Sequence, residues 1–343
     1  MSSPLVVVGM GGADRHDTGP GHPEAPARLA AVTRGISGAG VQEAVVHLSG
    51  RPATIEELTV VHDERYLRAL ARFAAVGGGE LDPDTRMSAG SWDTALLAAG
   101  AGLSAIEALD HGMADSAFVM ARPPGHHATA SQAMGFCLVN NVAVAAATLA
   151  RRGERVAIID WDVHHGNGTQ AIFWDDPRVL YVSTHQWPAY PGTGAAEEIG
   201  GGGGAYGLTV NVPLPPGATG DAARQAFDEV ILPSVEQFAP TWVLVSAGFD
   251  AHRGDPLADL AWSAGDFADL ARTVARMAPR AGRLIAFLEG GYDVDALALS
   301  VGATVAALVD HSYQPESPTA GGPGRQAVTA VARTRARLMG GAI

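Results

Sequence analysis

From about residue 116 the chain alternates short, continuously apolar runs with helical stretches. That alternation limits its fold more than any other feature. Strand-like runs stand at Ser116–Ala121, Arg155–Ile159, Val179–Ser183, Leu208–Val212, Trp242–Val245 and Arg283–Leu288. Between and after them the pattern predicts helices over Val139–Ala150, Gly168–Trp174, Asp221–Phe238, Ala264–Met277 and Val294–Val309. Strands apolar at every position need cover on both faces, and a βαβα order makes neighbouring strands parallel. Upstream, Leu5–Val8 and Glu43–His47 read as strands, Pro26–Ile36 and Ser91–Asp110 as helices. Thr54 with Glu57 has capping-box spacing, and Asp63 stands where it can cap a helix reaching Ala75. The expectation is an α/β fold: a single open, mainly parallel β-sheet with helices on both faces. Its active site would lie at the C-terminal ends of the strands. Residues 1–312 are expected to form this domain. Residues 313–324 read as a linker and the chain from Arg325 as a short terminal helix, so that 313–343 stands apart.

Composition narrows the partners. The formal net charge is −13, and all 23 Lys+Arg residues are Arg. An acidic chain without a basic run lacks the face that nucleic acid requires. No apolar run approaches the ~18 residues of a membrane span. The N-terminus has no basic n-region, and Pro4–Met10 reads as strand rather than signal peptide. The 1 cysteine, Cys137, excludes an intrachain disulfide and suits a reducing, cytoplasmic setting. The Gly-rich stretch 192–207 reads as a flexible surface loop, and without a following helix it is no dinucleotide fingerprint. A homo-oligomer stays open.

Polar clusters stand where the apolar runs stop. His126-His127 follows Ser116–Ala121, Asp160, Asp162 and His164 close Arg155–Ile159, Asp250 follows Trp242–Val245, and Tyr292 follows Arg283–Leu288. Four clusters on one edge of one sheet can converge on one site. Extended backbone would put Asp160, Asp162 and His164 on one side, with Trp161 and Val163 packing on the other. A carboxylate and an imidazole on one face are two metal ligands, and Asp250 offers a third. Two Asp and one His make an open three-ligand site of the catalytic zinc type, although the set also suits other divalent metals. One Asp at a strand end is as readily a helix N-cap; three converging buried acids are not. The adjacent imidazoles of His126 and His127 do not both carry charge comfortably. They suit split roles, one a neutral general base, unless they are simply loop histidines in water. Gly290 and Gly291 allow the sharp turn that aims the Tyr292 phenol over the sheet edge as an oxyanion donor; a core tyrosine is the alternative.

Taken together these residues resemble the histone deacetylase family, within the arginase/deacetylase superfamily. The likeness is to its class II-like bacterial branch of histone deacetylase-like amidohydrolases. The matching stretches are HDTGPGHPE from His16, RPPGHH from Arg122, Gly135-Phe136-Cys137 with Asn140-Asn141, and DWDVHHGNG from Asp160. They continue with Pro191–Gly194, Asn211–Leu214, SAGFD from Ser246 and LEGGY from Leu288. The resemblance implies one catalytic Zn²⁺ held by Asp162, His164 and Asp250, and removal of acyl groups from lysine side chains or polyamines. It implies His127 as general base and later acid, His126 as an electrostatic partner backed by Asp160, and Tyr292 as the group that holds the carbonyl oxygen. Phe136 would form one tunnel wall and Tyr190, where a Phe often stands, the other. Gly135 would offer its C=O to the substrate N–H. Arg28 resembles an arginine near the inner acetate channel. Potassium is implied at two places, mostly through backbone carbonyls. One draws on Asp160, Asp162, His164, Ser183 and Thr184, the other on Phe173, Asp176, Val179 and Leu208. Asn167 stands where class I members carry Asp, which would leave His127 less basic. His165 and Cys137 are expected to be structural.

Two substrate classes fit this resemblance: an acyl-lysine peptide or protein, and a small N-acyl amine such as an acetylpolyamine. Leu257 lies where polyamine-selective relatives place a Glu gate, while Asp82 and Asp84 could supply rim charge. An arginase-like two-metal site would need a second Asp two residues after Asp250, where His252 stands. An inactive acyl-lysine binding module would have lost the phenol or a ligand, and none is lost.

Overall fold

The computed structural model describes residues 4–340. Its strands are β1 (Leu5–Gly9), β2 (Val45–Ser49), β3 (Gly78–Glu80), β4 (Arg86–Ser88), β5 (Ser116–Val119), β6 (Val156–Asp160), β7 (Val179–Gln186), β8 (Thr209–Leu214), β9 (Trp242–Ala247) and β10 (Leu284–Leu288). Eight of them form one sheet in the order β2-β1-β5-β10-β9-β6-β7-β8, and every neighbouring pair is parallel. The helices are α1 (Ala27–Gly38), α2 (Ile55–Leu58), α3 (Glu64–Ala75), α4 (Ser91–Asp110), α5 (Asn141–Arg151), α6 (Asn167–Phe173), α7 (Gly220–Ala226), α8 (Leu232–Phe238), α9 (Ala264–Met277), α10 (Val294–Leu308) and α11 (Arg325–Leu338). No helix among the described residues is long and apolar enough to cross a membrane.

The sheet divides the apolar residues into two cores by strand alternation. In β6, Ala157 and Ile159 join the core beneath α1, α7, α9, α10 and α11, while Val156 and Ile158 join the one beneath α3, α4 and α5. This is why the strands read as unbroken apolar runs: both faces are covered.

Helices α4 and α9 span the expected residues. At α2 the capping box is formed: Glu57 N–H donates to Thr54 Oγ1 at 3.2 Å and Thr54 N–H to Glu57 Oε2 at 2.8 Å. Asp63 occupies the N-cap of α3 but makes no side-chain cap bond there. The helix expected over Asp221–Phe238 is interrupted by a wide π turn, Phe227–Ile231. Pro233 lies just beyond and has no N–H for an α ladder, so the backbone adjusts locally. The hairpin β3–β4 was not anticipated, because Gly78-Gly79-Glu80 and Arg86-Met87-Ser88 carry no apolar alternation.

Residues 313–324 run along the start of α9. The Glu316 carboxylate lies 2.7 Å from His252 Nε2 and accepts Ala264 N–H at 2.8 Å, and Thr319 N–H donates to Asp266 at 3.0 Å. Helix α11 buries Val328 and Val331 in the first core. The Gly-rich stretch is tied at several points: Gly194 N–H donates to Glu198, Gly201 N–H to Trp174 O and Gly202 N–H to Asp175.

Candidate active site

Strands β5, β10, β9, β6 and β7 are consecutive neighbours in the sheet, although not in sequence. The chain leaves β5, enters β6 three places away, runs out to β8, and only then returns to fill the gap with β9 and β10. The loops after β5 and β6 therefore diverge over a crevice, and those after β9 and β10 enter it. All four polar clusters meet there.

Strand β6 stops at Asp160 and the chain then bends, so the expected single face is not kept. Trp161 and Val163 do enter the core. Asp160 parts from the other two ligand candidates: its Oδ2 lies 3.1 Å from His126 Nδ1 and accepts the Tyr181 hydroxyl at 3.2 Å. Asp162, His164 and Asp250 come together, each offering a ligand atom, with these atoms within 4.8 Å of one another. His164 Nδ1 lies 3.2 Å from Asp162 Oδ1 and 3.1 Å from Asp250 Oδ2. The remaining oxygens are held by backbone: Gly290 N–H donates to Asp162 Oδ2 at 2.8 Å and Val163 N–H to Asp250 Oδ1 at 2.9 Å. A Cβ at position 290 would lie 2.1 Å from Asp250 Oδ2, so only glycine lets that strand end approach the acids so closely. Two fixed buried carboxylates and an imidazole aimed at one point fit a divalent cation, which would balance both charges. Burial and the Asp162 charge push Asp250 up to about 7. Burial would lower His164, but its bonds and charge contacts with Asp162 and Asp250 raise it to about 10. His252 turns away to Glu316, so no second acid faces this point from position 252.

The two adjacent imidazoles are buried, with ring centroids 4.0 Å apart. Burial disfavours charge on His126, yet Asp162 and Asp160 outweigh it and raise the group to about 10. Burial, together with the charges of His126 and His164, drives His127 well below its ordinary value. Charge is therefore favoured on His126 and disfavoured on His127. His127 Nδ1 lies 2.8 Å from Asn167 Oδ1, while the Asn167 amide nitrogen donates to Met134 Sδ at 3.3 Å. That orientation puts the His127 proton on Nδ1 and leaves Nε2 as an acceptor.

Phe136, Tyr190 and Tyr292 surround the approach. The Tyr292 ring lies 5.6 Å edge-on to Phe136, and Tyr190 stands 5.1 Å from His127 and 6.3 Å from His164. Gly135 has φ 54°, and a Cβ there would lie 2.4 Å from His127 Cδ2. Its carbonyl accepts the Cys137 thiol at 3.3 Å. The hairpin β3–β4 reaches this wall, since Phe136 N–H donates to Thr85 Oγ1 at 3.1 Å. Arg28, fully buried, sits 5.0 Å over the Tyr292 ring and donates to Gly291 O at 2.7 Å. Leu257 is exposed at the end of a turn anchored by Asp255, whose Oδ1 accepts its N–H at 3.0 Å.

The residues expected around monovalent cations lie at two levels of β7, its middle and its start. Ser183 pairs across the ladder with Asp160, and Thr184 follows it, both buried. Phe173, Asp176, Val179 and Leu208 gather at the other end: Asp176 N–H donates to Phe173 O, Val179 N–H to Asp176 O and Tyr181 N–H to Leu208 O. The Asp176 carboxylate is taken by Arg178 at 2.6 Å. His165 lies between Thr193 Oγ1 at 2.8 Å and Gln170 Oε1 at 2.9 Å.

Two acids that carried no role in the sequence reading also enter the site. Asp255 Oδ2 accepts Tyr292 N–H at 2.6 Å, and Glu289 Oε2 accepts Gly125 N–H at 2.6 Å. The signal for Glu289 was present: an acid directly follows the apolar run Leu284–Leu288. Nothing local marked Asp255, whose partner is 37 residues away.

The sequence as a whole matches a model of the histone deacetylase domain over residues 22–308. A protein of Archaeoglobus fulgidus named probable deacetylase is 44% identical over 286 residues, covering 82% of this chain and 79% of its own. The histone deacetylase-like amidohydrolase of Pseudomonas aeruginosa is 41% identical over 292 residues, 84% of this chain and 77% of its own. The polyamine deacetylase HDAC10 of Homo sapiens is 38% identical over 313 residues, 86% of this chain and 46% of its own. The crystal structure of the HDA15 HD domain superposes with a TM-score of 0.89 at 35% identity, over 98% of this chain and 95% of that one. The chain belongs to the histone deacetylase family of hydrolases.

Proposed function

We propose that this hydrolase cleaves linear N-acyl amides at one zinc ion held by Asp162, His164 and Asp250, with the acylated ε-amine of lysine as its substrate class. The observation that carries the reading is the meeting, at one edge of the sheet, of that three-ligand cluster with the adjacent imidazoles of His126 and His127, whose ring centroids are 4.0 Å apart. Zinc supplies Lewis acidity and lowers the pKa of a bound water. The chain supplies the rest. Neutral His127 takes a proton at Nε2 and returns it to the leaving amine, while Asn167 keeps Nδ1 protonated and the ring aligned. His126, charged and backed by Asp160, adds positive potential beside the developing oxyanion, and the Tyr292 phenol donates to it. Phe136 and Tyr190 accept the alkyl chain between their rings, and the Gly135 carbonyl faces its N–H. A potassium ion beside Asp160, Ser183 and Thr184 belongs to the same proposal, supported by the resemblance. A reducing, cytoplasmic setting is supported by the single buried cysteine.

The polyamine reading draws on a specific feature, the neighbouring Asp82 and Asp84 in the hairpin beside Tyr190, which suit a cationic substrate. Against it, exposed Leu257, Trp187 and Tyr190 give the mouth an apolar side. Loop 255–259 and residue 186 are joined by the bond from Asp259 N–H to Gln186 Oε1 at 2.7 Å. The test is a side-by-side assay of acetyl-lysine peptides, longer acyl-lysine peptides and acetylpolyamines with the zinc-loaded protein. Higher kcat/KM on the peptides is the expected result. A preference for acetylpolyamines would move the assignment to the small-amine class, and no turnover of either would overturn it.

A further inference from the structure

The residue after β10, Glu289, is completely buried, and its carboxylate is held by hydrogen bonds rather than by an arginine. Its Oε2 accepts the N–H groups of Gly125 at 2.6 Å and His126 at 3.2 Å, and its Oε1 accepts the Ser246 hydroxyl at 3.3 Å. Arg28, the nearby guanidinium, goes to the Glu289 backbone carbonyl instead. Burial raises the carboxyl to about 7. The His126 imidazole lies within 4.8 Å of it, and an acid placed so deep is costly unless its hydrogen bonds are needed.

What the carboxyl holds is the turn that bears both imidazoles. The other side of that turn is held through carbonyls: Asn141 Nδ2 donates to Pro123 O at 3.1 Å, Asn140 Nδ2 to Ala128 O at 3.1 Å and Thr169 N–H to His126 O at 3.1 Å. Glu289 grips the N–H side. It is also three residues before Tyr292, on the strand end whose Gly290 N–H bonds Asp162 and whose Tyr292 N–H bonds Asp255. One side chain thus joins the imidazole turn after β5 to the phenol turn after β10.

We infer that Glu289 is a positioning residue that sets the separation between the His126–His127 pair and the Tyr292 phenol, across which the scissile carbonyl is held. This rests on the amide-hydrolase reading above. A displacement near 1 Å at such a site costs on the order of 10²-fold in rate.

The test uses the full zinc-loaded chain with Glu289→Ala, Glu289→Gln and, should the alanine variant not fold, Glu289→Asp, which withdraws the acid by one methylene. Glu289→Ala is expected to lower kcat by roughly 10²-fold while KM, zinc stoichiometry and affinity for a linear hydroxamate stay near wild type. Glu289→Gln keeps an oxygen for the two N–H groups and should recover most of the loss. In a His127→Ala background Glu289→Ala should add less than its full loss, because part of its effect passes through the His127 ring. The inference is overturned if Glu289→Ala, or Glu289→Asp in its place, keeps kcat within about threefold of wild type, well short of that loss. It is equally overturned if kcat falls in step with zinc content, or if the losses multiply in the double variant. A wild-type protein inactive on every amide would instead sink the functional reading itself.

Discussion

Tyr292 reaches the site by its backbone as much as by its ring. Asp255 fixes its N–H, Arg28 lies over its face, and its hydroxyl has no hydrogen-bond partner among the described residues. Replacing it with Phe keeps those contacts and removes only the donor. Tyr292→Phe is expected to lower kcat by ~10²–10³, about 2.7–4 kcal/mol, with zinc content and Tm unchanged. Near-normal kcat would make the ring a packing element. Asp250 differs in kind, because its two oxygens serve two partners, Val163 N–H and His164 Nδ1. Asp250→Ala should abolish zinc binding, as read by metal analysis, and activity with it. Retention of a full equivalent of zinc would remove Asp250 from the ligand set.

At the level of elements, the segment beyond Ser312 bears on stability rather than chemistry. We propose that residues 1–312 hold every group of the active site and that the rest braces the fold. Helix α11 buries Val328 and Val331, and Glu316 and Thr319 bond to the loop and helix that follow β9. Burying a valine contributes roughly 1.5–3 kcal/mol. Ending the chain at Ser312 should therefore cost several kcal/mol and lower Tm clearly in a thermal melt, and an unchanged Tm would count against the bracing role. The broken helix α7–α8 shows the same dependence on context. Its apolar periodicity is continuous, but the missing N–H of Pro233 decides the local geometry.

Across the whole molecule, one buried ionic cluster ties the N-terminal segment to the centre of the sheet. Glu24 lies 2.8 Å from Arg122 Nε, 3.3 Å from Arg28 Nη1 and 3.3 Å from His16 Nε2. Burial favours its protonated form, but the His16 bond and the two guanidiniums hold it at about 2, against 4.5 unperturbed. A depressed acid contributes stability above its unfolded pKa and loses it as pH falls through the folded one. The contribution is about 3 kcal/mol at 1.36 kcal/mol per unit, present at neutral pH and lost between about pH 4.5 and 2. Denaturant titrations should show Glu24→Gln less stable at pH 7 and flatter over that acid window. An acid limb as steep as that of wild type would exclude Glu24 as its source.

The sequence by itself determined the eight strands of the main sheet, most of the helices and the place of each polar cluster at a strand end. These are local properties: a doubly covered strand must be apolar throughout, and chemistry gathers in the loops that follow. It also carried the family, because the motifs keep their order along the chain. Strand order belongs to tertiary structure alone. No local period says that β10 lies between β5 and β9, although that insertion brings Tyr292 and Glu289 against the imidazoles. Tertiary packing likewise separated Asp160 from Asp162. Alternation would have kept them on one face, but the bend after β6 gave the first to His126 and Tyr181 and the second to His164. The backbone N–H groups that fix each carboxylate come from remote loops, and their approach depends on where glycines let strands close in.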